Sequence, residues 1–189
     1  MEKVRFGLCN CAYGIVTQAE DGSLTFGTPV MIPNAKSLTM DRTISTTPIF
    51  ADNKKIYTIS AFTGANLTVG FTLLTDELKQ AILGHKADSK GHDVEVTNAK
   101  TTYFYFIYQV EGDTKSRRRV ILKCSATLGS EATETTSDSV NVNGDSLAIS
   151  VYPVEDGKGN DIACYDVDSS DTDYADVLTM APAIPTFAS

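Results

Sequence analysis

Between residues 102 and 111 the chain reads Thr-Tyr-Phe-Tyr-Phe-Ile-Tyr-Gln-Val-Glu. Successive side chains of a strand point to opposite faces. Tyr103 and Tyr105 therefore face one way, and Phe104, Phe106 and Tyr108 the other. A strand that is aromatic on both sides must be covered on both sides, by its own chain or by a partner. The fold has to supply two covers for one strand, and this limits it more than any other stretch does.

The remaining segments are mostly strands as well. In residues 4–16, Val4, Phe6 and Leu8 alternate with charged or small residues, and the turn Glu20-Asp21-Gly22-Ser23 leads into an extended run over 24–32, so the two form a hairpin. Residues 36–43 give a short strand with Leu38 and Met40 on one side. Residues 44–58 hold extended-chain residues, Pro48 and the polar interruption Asp52-Asn53-Lys54-Lys55, which together predict a protruding loop or hairpin. Leu67, Val69, Phe71 and Leu73 alternate onto one face. The period changes at Thr75, an N-cap followed by Asp76 and Glu77. Leu78, Ala81 and Ile82 then form a helical stripe and Gly84 a left-handed stop, so a helix of about three turns is expected. Residues 85–98 are polar and read as a loop. After a turn at Gly112-Asp113-Thr114, Val120, Leu122, Cys124, Ala126 and Leu128 are expected to share a face. Residues 130–144 are poor in apolar side chains and read as mobile. Leu147, Ile149 and Val151 point inward from a further strand, and residues 156–189 form an acidic C-terminal extension. No internal repeat is present. The expected fold is mainly β: a sandwich or barrel with one flanking α-helix and a long extended loop.

A chain of 189 residues makes one domain, or one domain with a substantial arm. At that length roughly 70% of the unfolded surface can be buried, so neither metal nor disulfide is required. No apolar run approaches the roughly 20 residues of a spanning helix, so no membrane association is expected. The start, Met1-Glu-Lys-Val-Arg-Phe-Gly, lacks a secretion signal, which points to maturation in a cytoplasm with Cys9, Cys11, Cys124 and Cys164 as thiols. Cys9 and Cys11 are expected to fill one side of a strand, a zinc or redox pair being the second reading. The net charge of −8 disfavours a clamp on nucleic acid.

Candidate chemistry is sparse. His85 and His92 lie in the polar loop without a nucleophile placed to use them, and no catalytic constellation, metal site or cofactor is expected. Asp156, Asp161, Asp166, Asp168, Asp171, Asp173 and Asp176 could attract calcium. They lack the Gly and Glu positions of an EF-hand loop, and a solvated acidic surface is the preferred reading. Arg117 and Arg119 share a strand face with Lys123. They could meet an acidic surface on another subunit, or pair locally with Glu111 and Asp113 for about 0–1 kcal/mol.

Several segments in order resemble one known family: Thr25-Phe-Gly-Thr-Pro-Val-Met-Ile-Pro-Asn-Ala, Pro48-Ile-Phe-Ala-Asp-Asn, the strand and helix ending Leu83-Gly84, Gly112-Asp-Thr-Lys-Ser-Arg-Arg-Arg-Val-Ile-Leu-Lys-Cys-Ser-Ala-Thr, and Asp145-Ser-Leu-Ala-Ile-Ser-Val-Tyr-Pro. Together they cover most of residues 4–155 and are similar to the major tail proteins of long, non-contractile-tailed bacteriophages. The resemblance implies a single tail tube domain over 1–189, with a tail-tube-like fold. It implies a virion tail subunit, assembled in the host cytoplasm, whose hexameric rings stack into a hollow tube. Tape measure, distal tail and terminator proteins would be further partners, and DNA would pass through the lumen without specific binding. Within the protruding loop 44–58, Pro48, Ile49, Phe50, Asp52, Asn53, Lys54, Lys55 and Tyr57 are the expected subunit contacts, with Arg117 and Arg119 beside them. The alternatives are a tube protein of a related tail-like particle or secretion machine, and an unrelated β-sandwich binding module. The absence of Trp counts against a carbohydrate site.

Overall fold

A computed structural model describes residues 7–129 and 144–187 of the chain. Val4 and Phe6 of the first run, and residues 130–143 of the expected mobile loop, lie outside the described residues. In chain order the strands are β1 (Leu8–Gln18), β2 (Leu24–Phe26), β3 (Val30–Met31), β4 (Ala35–Ala51) and β5 (Lys54–Phe71). The helix α1 (Asp76–Leu78) continues into a π-helical turn (Lys79–Leu83). There follow β6 (Lys86–Ala87), β7 (Asp93–Val94), β8 (Tyr103–Val110), β9 (Arg118–Leu128), β10 (Asp145–Val151), β11 (Val154–Glu155), β12 (Asp161–Ile162), β13 (Cys164–Val167) and a 3₁₀ turn (Asp176–Leu178). The protein is mainly β.

One antiparallel sheet runs in the order β2-β1-β8-β9-β10-β5-β4, with β3 added beside β1 and β13 beside β9. It curls so that β1, β4, β5, β8, β9 and β10 all contribute to a single apolar cluster. Phe104, Phe106 and Tyr108 of β8 meet Leu67, Val69 and Phe71 of β5 and Leu147, Ile149 and Val151 of β10, with Leu38 and Met40 of β4 packed against them. Leu78 and Ile82 of the helical segment join the same cluster.

The opposite face of β8 carries Tyr105 and Ile107, which pack with Ala12, Val16, Val120 and Leu122 under Val154 and Ile162. Tyr165, Val177, Leu178 and Ile184 pack against this second cluster, so part of the acidic segment 156–187 covers it. Both covers that the aromatic strand requires therefore come from the same chain. Tyr105 is fully buried, donates its hydroxyl to the Gly27 carbonyl at 2.7 Å, and fills the space left open by the missing side chain of Gly14 on the neighbouring strand.

Several local expectations change, each for a physical reason. Asn10 adopts φ 50° at a bulge in β1. The extra residue shifts the alternation, so Leu8 rather than Cys9 packs with Cys11 in the first cluster. A second irregularity lies between β8 and β9, where Phe104 pairs with Cys124 but Phe106 with Ile121. It places Val120 and Leu122 on one face and Cys124 on the other, and Leu128 ends exposed. The chain leaves the sheet after Phe71, so Leu73 is 61% exposed and Leu74, at 2%, is the residue that turns inward. The Thr75 hydroxyl accepts from the Leu78 amide at 3.4 Å, and Gly84 stops the segment at φ 78°. The helical segment is nonetheless shorter than three turns, and its second half is π-helical. Residues 85–98 contain the small hairpin β6–β7 rather than a plain loop.

Candidate subunit interface

The expected protruding loop is the outer half of a long hairpin formed by β4 and β5. Val151 pairs with Ala65 as the last residue of β10 beside β5; beyond it β4 and β5 pair only with each other. This free ribbon, residues 43–63, projects roughly 30 Å at about 3.3 Å per residue. Asp52 and Asn53 form its turn with φ 50° and 59°. Two central residues with positive φ make the type I′ geometry that matches strand twist, and Asn and Asp tolerate it better than other residues with side chains. Pro48 stands on β4 at the sheet edge, where a missing donor is tolerated. Lys54 and Lys55 begin the return strand and make no ion pair with the described residues.

Cross-strand partners share a face. Ile44–Phe62, Thr46–Ser60 and Pro48–Thr58 lie on one face, and Ser45–Ala61, Thr47–Ile59 and Ile49–Tyr57 on the other. Phe50 pairs with Lys55 near the tip, after an irregularity that leaves Ile56 as the extra residue. Seven of the sixteen large apolar side chains exposed among the described residues fall on this ribbon: Ile44, Ile49, Phe50, Ile56, Tyr57, Ile59 and Phe62. Isolated exposed apolar residues are ordinary, whereas here they are concentrated on both faces of a two-stranded ribbon. The sequence reading named Ile49, Phe50 and Tyr57 but missed Ile44, Ile56, Ile59 and Phe62. Ile59 and Phe62 lie beyond the expected loop, and the pairing of β5 with residues 44–51 is what reveals them.

Arg117 and Arg119 are not brought to the ribbon. Arg117 precedes β9 and donates from Nε and Nη2 to Asp113, at 2.8 and 3.1 Å, as local pairing predicts. Arg119 is held bidentately by Asp166 of β13, both distances 2.7 Å. That partner lies 47 residues away in sequence, and Glu111 is not used for it. Lys123 lies over the Tyr103 ring at 4.5 Å.

The other candidates serve local structure. His85 Nδ1 donates to Asp93 Oδ2 at 2.7 Å and His92 Nδ1 to Asp88 Oδ2 at 2.8 Å, tying the β6–β7 hairpin. The His85 bond, first among the causes, holds the Asp93 carboxyl below its ordinary range. Asp156 accepts from the amides of Lys158 and Asn160, and Asp168 pairs with Lys115 at 2.7 Å. Among the described residues no group of three or more His, Cys, Asp or Glu is arranged to hold a metal ion. Burial pushes the Cys11 thiol up to about 12 and the Cys124 thiol up as well, which keeps both protonated.

No protein-family model matches the chain, and no curated protein matches it significantly. Among solved structures it is similar to the PVC sheath-tube complex, in its extended state, of an extracellular contractile injection system. The two are 10% identical over 86% of this chain and 91% of that one, with a TM-score of 0.47. A likeness this slight bears no weight for function.

Proposed function

We propose that this chain is a non-catalytic structural subunit that polymerises, arm into neighbour, to build the hollow tube of a phage tail or of a related tail-like particle. The observation that carries the reading is the ribbon 43–63, apolar on both faces and paired with no third strand among the described residues. Edge-to-edge pairing of two such ribbons is disfavoured by Pro48 and by the irregularities at Thr43/Ile44 and Ile49/Phe50. The ribbon therefore docks on a different surface of another copy. Such heterologous contacts close into rings or continue as helical filaments.

In the narrower reading, six copies close a ring. If each gives four strands to the wall, spacing of about 4.8 Å and a tilt of about 45° set a backbone diameter on the order of 50 Å, wide enough for a DNA duplex. The net charge of −8 suits a bore along which phosphates slide. The test is electron microscopy and sedimentation of the full chain at rising concentration, beside a variant in which residues 44–62 are replaced by an Asn-Gly turn. Rings or tubes from the full chain, and folded monomers from the variant, are expected. Tubes formed equally well without the ribbon would overturn the proposal.

A further inference from the structure

A cleft of about 220 Å³ opens between β3 and the start of the helical segment, floored by Tyr13, Ile32 and Leu78, walled by Val30 and Met31, with Glu77 at its rim. Val30 and Met31 are about half exposed, so the cleft presents apolar surface to solvent. An apolar cavity of about 150 Å³ already admits a benzene ring. The rim is charged. Lys79 pairs with Asp76 at 3.6 Å, whereas Glu77 is exposed and makes no ion pair with the described residues.

The ribbon tip carries the complementary pair. Phe50 and Lys55 are direct cross-strand partners, so an aromatic ring and an ammonium project side by side from one face. Phe50 is 64% exposed. Three other clefts suit this tip less well: one presents Lys36 to the incoming lysine, in another Arg42 stands beside Asp161, and in the third Asp113 and Asp166 are already held by Arg117 and Arg119.

We infer that the ribbon tip of one copy docks in the β3–helix cleft of the next, with the Phe50 ring in the cleft and the Lys55 ammonium on the Glu77 carboxylate. The inference rests on the polymerising role proposed above and names the receptor for it. Donor and receptor lie on different parts of the chain, so each copy offers one of each and the contact propagates.

Charge reversal at both ends tests it. Lys55→Glu makes the chain two charges more acidic and Glu77→Lys two charges less, while the double variant keeps the native net charge. A general repulsion between acidic monomers would move assembly in opposite directions for the two single variants. Docking predicts that each single reversal raises the assembly threshold about tenfold and that the double variant returns to near the native threshold. Both residues are exposed, so monomer melting temperatures should stay unchanged; if Glu77→Lys fails to fold, Glu77→Gln serves as a single variant, one charge less acidic, that should still raise the threshold. Zero-length carbodiimide coupling of the native chain, read by mass spectrometry, should give an intermolecular Lys55–Glu77 amide. Opposite effects of the single variants, or no rescue in the double variant and no such amide while ribbon deletion still abolishes tubes, would overturn the docking site and leave the tube role intact. Tubes without the ribbon would overturn both.

Discussion

Truncating Phe50 to alanine tests the proposed assembly role of the ribbon tip separately from folding. Phe50 keeps 64% of its surface in water within its own chain. For a phenylalanine that buries about 200 Å² when fully enclosed, some 130 Å² therefore awaits a partner. At about 25 cal/mol per Å² this amounts to roughly 3 kcal/mol at each contact, an upper value because ordering the tip offsets part of it. Each 1.4 kcal/mol is tenfold, so Phe50→Ala should raise the assembly threshold by about 30- to 100-fold. The monomer should hardly notice. A surface substitution changes stability by about 0.5 kcal/mol or less, which for a chain this long is about 2 °C in melting temperature. Leu67→Ala provides the contrast. Leu67 is 1% exposed in the first cluster, so its loss should cost about 2–5 kcal/mol of folding stability. Sedimentation across a concentration series, paired with thermal unfolding in dilute solution, reads both quantities. An unchanged threshold for Phe50→Ala, or a fall in its monomer melting temperature comparable to that of Leu67→Ala, refutes the reasoning.

Gly14→Ala should destabilise the chain by about 2–3 kcal/mol in a thermal melt, because the new Cβ would occupy the position of the Tyr105 ring and break its bond to Gly27. Asp93 has a folded pKa below its unfolded value near 3.9, so its contribution to stability is complete above that pH and lost as pH falls through the lower folded value. Asp93→Asn should remove this share of the acid transition, seen in hairpin resonances titrated from pH 6 to 2. A transition unchanged in Asp93→Asn would speak against the His85 bond. Arg119→Ala should cost about 1 kcal/mol of monomer stability by freeing β13, while leaving the assembly threshold near native. A large shift in threshold would return Arg119 to the subunit interface.

The parts of the fold legible in the sequence are those set by neighbours along the chain. The two-sided character of β8, the inward set Leu147, Ile149 and Val151, the Thr75 cap and the Gly84 stop all follow from alternation and local backbone chemistry. What escaped depends on a single inserted residue or a remote partner. A bulge reverses every later side chain, yet Asn10 carries no sequence mark that separates it from a surface asparagine. The choice of Asp166 over Glu111 for Arg119 is made by β13 pairing with β9, which local pattern does not encode. In the candidate interface, the Asp52-Asn53 turn and Pro48 exposed the ribbon. Its return strand stayed hidden because Ile59 and Phe62, three residues apart, fall on opposite faces and form no period-two pattern that marks a strand.

The ribbon also carries features that oppose indiscriminate aggregation of its exposed apolar surface. A long open edge such as β4 is a template for any strand. Here Pro48 removes a donor, irregular register at Ala35/Ser37, Thr43/Ile44 and Ile49/Phe50 distorts the straight ladder an invading strand would need, and Lys54 and Lys55 charge the tip. Each device hinders backbone pairing along the edge, and none covers the side chains on the two faces. The ribbon is thereby closed to generic strand addition and open to a surface shaped for its side chains. That combination favours growth by one repeated contact.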